Sequence, residues 1–167
     1  MASSDSLEAG KDTRTWIYYG VGPGVFGSHT GLSIGGGVCH QREEHIFLVR
    51  LTQVREFEIS FGGPTIPAEE VLGLAVLYGV SKRIGSRVNS LAIGLSITRR
   101  TRRGARLNPL LGSDYEEIRT YSPGIPIDSQ LFITPLSKFG FGIDLFYDLN
   151  TRDSSGGLLL SLQFGDI

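Results

Sequence analysis

Between Val71 and Ser81 the chain alternates without a break. Leu72, Leu74, Val76, Tyr78 and Val80 share one parity, and Gly73, Ala75, Leu77, Gly79 and Ser81 share the other. Successive side chains of a β-strand point to opposite faces, so this period of two predicts a strand with one aliphatic and one mainly small-residue face. Ser90 to Thr98 repeats the pattern, with Leu91, Ile93, Leu95 and Ile97 set against Ser90, Ala92, Gly94, Ser96 and Thr98. Phe47, Val49 and Leu51 oppose Leu48, Arg50 and Thr52. Ile125, Ile127, Leu131 and Ile133 oppose Pro126, Asp128, Gln130, Phe132 and Thr134, with Ser129 interrupting the apolar side. Phe139, Phe141, Ile143, Leu145 and Tyr147 oppose Gly140, Gly142, Asp144, Phe146 and Asp148. Leu158, Leu160, Leu162 and Phe164 oppose Leu159, Ser161, Gln163 and Gly165. With a glycine-rich pair near 15–27 and 29–40, the chain predicts about eight strands, several near the length of a tilted barrel strand.

The connections alternate in length. Short turns fall at 41–44, 83–87 and 135–138, longer ones near 56–70 and 99–120, and a moderate one at 150–156. If both termini share one end, the short turns share it too, which is the asymmetry of an outer-membrane barrel with short periplasmic turns. The expected fold is therefore all-β: an eight-stranded antiparallel up-and-down transmembrane β-barrel over 15–167, behind a flexible polar N-terminal segment, 1–14.

Two ways of orienting the faces remain open. A soluble lipocalin-like carrier would turn the aliphatic face inward around a lipophilic ligand and solvate the other face with charge. Here the other face is glycine, alanine, serine and threonine, which suits a narrow lumen better than water. The aliphatic face is nearly free of charge, as lipid contact requires. Trp16, Tyr18, Tyr121, Tyr147 and Phe164 lie near strand ends, where interfacial aromatics are expected. The outward-aliphatic orientation is favoured, with a packed polar interior and no open pore.

Composition sharpens this only in places. The formal net charge of -1 argues against nucleic acid as a partner. A single cysteine, Cys39, excludes an intramolecular disulfide framework. The first residues carry no apolar core, so no signal peptide is visible, and no run is long enough for a transmembrane helix.

Gly22, Gly24 and Gly27 have the spacing of a dinucleotide-binding fingerprint, but that motif needs a helix to begin inside it. The following Ser28 to Gly37 is too rich in glycine for a helix. These glycines are expected to let strands bend and backbones approach.

Three groups carry candidate chemistry. Arg50, Asp128, Gln130 and Asp144 share inward parity and are expected to form a lumen polar network, with Arg50 pairing at least one aspartate, because an unpaired buried charge costs several kcal/mol. Arg99, Arg100, Arg102, Arg103 and Arg106 form the densest charge cluster. They are read as a solvated outer segment or as contacts to lipopolysaccharide phosphates. Cys39, His40 and His45 do not converge as metal ligands, and Ser28, His29 and Thr30 form no supported nucleophile–base pair. No catalytic residue, metal or cofactor is expected, and a lipid-modifying barrel enzyme is the remotest alternative.

The stretch Gly124–Asn150, GIPIDSQLFITPLSKFGFGIDLFYDLN, followed by GGLLLSLQFG at 156–165, resembles the C-terminal half of small outer-membrane β-barrel proteins common in Bacteroidota-type bacteria, the OmpX-like eight-stranded barrels of the porin family. GLAVLYGVSKRIG and LSITRRTRRGARL resemble that family's middle strands and its arginine-containing external loop. The resemblance spans roughly residues 45–165. It implies a bacterial outer-membrane location, a structural or surface-interaction role without assigned activity, lipid and lipopolysaccharide contact, and a monomer. The last strand also resembles an insertion signal for the outer-membrane assembly machinery, although Gly165, Asp166 and Ile167 run past the usual final aromatic.

Overall fold

The computed structural model describes residues 13–57, 68–106 and 115–167. The expected flexible N-terminal segment lies outside the described residues as far as position 12, and strand begins at Thr13. Eight strands follow: β1 (Thr13–Phe26), β2 (His29–Arg42), β3 (His45–Glu56), β4 (Glu70–Ile84), β5 (Arg87–Arg106), β6 (Tyr115–Leu136), β7 (Phe139–Asn150) and β8 (Ser155–Gly165). Each pairs antiparallel with its neighbour in sequence, and β1 pairs with β8 from Trp16↔Gly165 to Phe26↔Ser155. The sheet closes on itself, so every strand has a partner on both sides and no edge is left unpaired.

The alternating faces fall as the pattern requires. Leu74, Val76, Tyr78, Leu91, Ile93, Leu95, Ile97, Leu145 and Leu160 point outward and are exposed, while Ala75, Leu77, Ala92, Thr98 and Asp144 point inward and are buried. The belt of exposed aliphatic side chains runs round the whole barrel.

Tight two-residue turns at 43–44, 85–86 and 137–138 lie at the end that carries both termini. At the other end β3–β4 and β7–β8 are joined by longer connections, but β1–β2 is a two-residue turn at 27–28. Gly27 there has φ 54, a left-handed conformation that glycine adopts without penalty. Gly22 and Gly24 sit inside strand β1, so the fingerprint spacing belongs to no helix. A Cβ on Gly24 would lie 2.7 Å from Val54 Cγ1 across the lumen, which explains glycine at that position. The expected long loop at 99–120 is largely strand instead. β5 continues to Arg106 and β6 begins at Tyr115, pairing as Arg103↔Glu117 and, after a register shift, Arg106↔Tyr115. Register runs unbroken past Pro126 on both sides, from Ser96↔Gly124 to Ile93↔Ile127 and from Gly124↔Asn150 to Asp128↔Phe146.

Beside the expected small and polar residues, among them Thr52, Ser96, Thr98, Gln130, Ser161 and Gln163, large apolar side chains pack in the lumen. Trp16, Tyr18, Ile46, Leu48, Leu77, Val88 and Phe132 fill the half nearer the termini, and Phe26, Val54, Val71, Phe146 and Leu159 fill the other. Trp16 and Tyr18 are therefore core residues and not interfacial aromatics, because on β1 it is Ile17, Tyr19 and Val21 that take outward parity. Tyr147 and Phe164 do face outward near strand ends, and Tyr121 faces outward but lies well inside β6, which begins at Tyr115. The chain beyond β8 turns in at Gly165 (φ 136): the Asp166 amide donates to the Thr15 carbonyl at 2.9 Å, and Ile167 is buried against the terminal cluster.

Candidate functional site

Arg50 comes inward because its strand neighbours Val49 and Leu51 take the outer face. Its guanidinium, wholly buried, crosses the lumen from β3 to two strands opposite. Nη1 lies 2.8 Å from Asp128 Oδ2 on β6 and donates to the Ile127 carbonyl at 3.3 Å, while Nη2 lies 2.7 Å from Asp148 Oδ2 on β7. The guanidinium also lies over the Phe146 ring, 5.2 Å from its centroid, which adds a cation–π contact. Gln130 is buried, with Cys39 Sγ 4.0 Å from its Oε1. Asp144 is buried near Tyr18 and Asp128, and among the described residues it has no ion-pair partner. The structure thus joins Arg50 to Asp128 and leaves Gln130 and Asp144 outside the ion pairs. Asp148 is the member the sequence reading left out. Its inward parity was visible, but the strand stagger that carries Arg50 to it was not.

A second cluster closes the mouth opposite the termini. Arg100, buried at the top of β5, lies 2.5 Å from Asp153 Oδ1 in the β7–β8 connection and 3.1 Å from Glu69 Oε2 ahead of β4. Its guanidinium lies 5.3 Å from the Phe26 ring centroid. Arg102 also pairs with Asp153, and Arg103 pairs with Glu56 at the end of β3. His29 stacks on Phe26 and places Nδ1 3.0 Å from Glu56 Oε1, with Nε2 3.8 Å from Glu69. Arg99 takes the outer face and lies 3.6 Å from Glu70, which also accepts from Gln53 at 2.8 Å. Arg106 closes β5, and its side chain lies outside the described residues.

Partial burial pushes the Glu56 and Asp153 carboxyls up, but their partners outweigh it. His29, the Glu69 amide and Arg103 hold Glu56 below its ordinary value. Arg100 and Arg102 do the same for Asp153. The arrangement is a mutually neutralising cap in which, among the described residues, the His29 imidazole is partnered by carboxylates. Sequence reading found the arginines and missed the acids, which flank the β3–β4 connection or lie in the β7–β8 connection.

Among solved structures, this geometry has close relatives in fold. The chain is similar to Neisserial surface protein A, with 14% sequence identity, 91% of this chain and 95% of that chain covered, and a TM-score of 0.61. The attachment invasion locus protein Ail of Yersinia pestis, in complex with the heparin analogue sucrose octasulfate, matches at 12% identity over 92% of this chain and 97% of that one, with a TM-score of 0.59. The N-terminal β-barrel domain of Pseudomonas aeruginosa OprF matches at 12% identity, covering 92% and 98%, with a TM-score of 0.53. The fold is that of the small outer-membrane barrels. No protein-family model matches the sequence, and no curated protein does. At these identities the likeness speaks for fold alone, and chemistry has to come from the side chains of this barrel.

Proposed function

We propose that this protein is a bacterial outer-membrane barrel of the Bacteroidota type, with a plugged lumen and a structural or surface-interaction role exerted from the mouth opposite its termini. The observation that carries this is the pairing of a continuous exposed aliphatic belt with a lumen filled by Trp16, Phe132, Arg50, Phe146 and Leu159. Exposed apolar area on that scale is unfavourable in water and favourable in hydrocarbon. The plugged lumen argues against an open pore and against a lipocalin-like carrier, which needs the same space for its ligand.

On this reading the arginine strip divides. Arg99, Arg100, Arg102 and Arg103 all lie in ion pairs, so lipopolysaccharide phosphates are met by the two most exposed, Arg99 and Arg102 at 34% and 45%, in exchange for their contacts with Glu70 and Asp153. The assembly machinery inserts the chain through its last strand, and the inserted protein works as a monomer without catalysis. Expression in a bacterium, followed by fractionation, tests the location. The expected result is recovery with the outer membrane, solubility only in detergent, heat-modifiable gel migration and no solute release from reconstituted vesicles. Full solubility without detergent together with lipophilic dye binding would favour the carrier. Loss of a lipid-processing activity on substitution of His29 would favour an enzyme.

A further inference from the structure

At the end of the barrel that carries the termini, outward parity on β2, β3 and β4 brings three nitrogen donors together. His40 and Arg42 are two residues apart on β2. Across the ladder Arg42 faces His45, and His40 faces Phe47. On β4, Val80 faces His45, and Tyr78 faces Phe47. All six side chains are exposed on the outer surface. His40, Arg42, His45, Phe47 and Tyr78, with Glu43 and Ile46, border a groove of about 510 Å3.

The two imidazoles are held in place. The Tyr78 hydroxyl lies 2.8 Å from Nδ1 of His45, and the two rings stack at 5.7 Å with an interplanar angle of 11°. The Thr15 hydroxyl lies 2.9 Å from Nδ1 of His40. A hydroxyl that donates to Nδ1 leaves the proton of a neutral imidazole on Nε2. In that tautomer, with Thr15 and Tyr78 as the donors, each ring presents an Nε2–H without having to be charged. Arg42 adds a fixed positive charge, and no ion pair to another described residue engages it. Two oriented N–H donors beside a guanidinium match a phosphate monoanion. The adjoining wall of Phe47, Tyr78 and Val80 is apolar and continues into the aliphatic belt.

We propose that this groove binds the phosphate of a glycerophospholipid in the leaflet at the terminal end of the barrel, with the acyl chains lying along Phe47, Tyr78 and Val80. The inference rests on the membrane reading above and names a specific ligand site within it. A free phosphate would use the same donors but leave the apolar wall uncovered.

The test uses the full chain folded in a neutral detergent and follows the His40 and His45 imidazole signals by NMR. A short-chain phosphatidylglycerol is titrated in, with inorganic phosphate and a diacylglycerol of equal chain length as separate arms. Saturable shifts of both imidazoles with the lipid, and binding at least about tenfold weaker for the other two probes, support the site. The Arg42→Gln variant is expected to bind about tenfold more weakly, in line with loss of a charge-assisted contact. Glu43→Gln, which removes a bordering carboxylate, is expected to bind at least as tightly as the parent. Unsaturable shifts, an equal response to diacylglycerol, equal affinity for inorganic phosphate, or parental affinity in Arg42→Gln would each overturn the assignment. Heat-modifiable migration of the same samples reports on the barrel separately, so failure of the site and failure of the membrane reading are distinguishable.

Discussion

Replacing Arg50 with methionine keeps a long unbranched side chain in the lumen and removes its charge. Two charge-assisted contacts at 2.8 and 2.7 Å disappear, and Asp128 and Asp148, each 1% exposed, lose their shared counter-ion. Removing one partner of a buried ion pair costs about 3–5 kcal/mol, chiefly because the remaining charge is stranded. Two carboxylates are stranded here, but one cation served both, so a loss of about 4 kcal/mol is expected. With a urea dependence of about 2 kcal/mol per molar, the unfolding midpoint falls by about 2 M. The only tryptophan in the chain, Trp16, is buried in the lumen 5.8 Å from Phe132, so its emission follows unfolding directly. The triple variant R50M/D128N/D148N removes the whole charge set. It is expected to regain about 2 kcal/mol or more, since neutral replacement of a complete buried pair is often harmless. A midpoint for Arg50→Met within about 0.3 M of the parent, or a triple variant no better than the single one, would refute the reasoning.

The remaining predictions concern the other carboxylates, the belt and the mouth. Asp144→Asn alters a buried carboxyl outside the ion pairs and is expected to leave stability unchanged or raise it, whereas Asp128→Asn lowers it by about 1–3 kcal/mol. Urea titrations that move both variants the same way would contradict the asymmetry. Leu95→Arg, in the middle of the belt, is expected to destabilise the barrel in vesicles by about 2–4 kcal/mol, against about 0–1 for Leu136→Arg at a strand end. Equal losses at the two depths would count against bilayer embedding. Glu56 and Asp153 have depressed folded-state values, so their contribution is complete above the ordinary carboxylate range and is lost as pH falls through the depressed values. Hydrogen exchange should then show the Gly27 and Phe57 amides, bonded to the Ser154 and Thr30 carbonyls, losing protection on acidification before mid-barrel amides do.

Strand number, order and facing were legible because each depends on a period of two that survives in one chain. Val71–Ser81 and Ser90–Thr98 state their faces outright, and closure follows once no strand can be left at an edge. Three kinds of feature were not legible. Trp16 and Tyr18 looked interfacial by their place near a strand end, although parity puts them inside with Phe26. Position along a strand and face of a strand are separate variables, and only the second follows from alternation. The arginines from Arg99 onward looked like a loop because charge usually marks one. Paired strands can run past a hydrophobic belt into water, where the charge that rules out lipid does not rule out a β-ladder. The acids of the cap lie at the two ends of the β3–β4 connection and in the β7–β8 connection, far in sequence from the arginines they meet, so nothing local announces the pairing.

The same distinction explains what the lumen charges do for the fold. Alternation forbids a slip of one residue, because that would exchange every inward and outward side chain. A slip of two residues preserves the faces, and an aliphatic belt facing outward has little means of detecting it. Such a slip would move Arg50 about 7 Å along its strand, at about 3.4 Å per residue. Its guanidinium would lose the reach it has to both Asp128 and Asp148. The triad ties β3 to β6 and β7 across the axis, between strands that share no ladder. It therefore selects register where the belt cannot, and the glycine contacts do the same for β1 and β2. A two-residue slip in one direction would set Phe26 where Gly24 now fits against Val54 and Ser33, while the opposite slip brings Gly22 there and is left to the other contacts. The outer face decides only that the chain is a barrel of this polarity; the inner face decides which alignment of strands the barrel has.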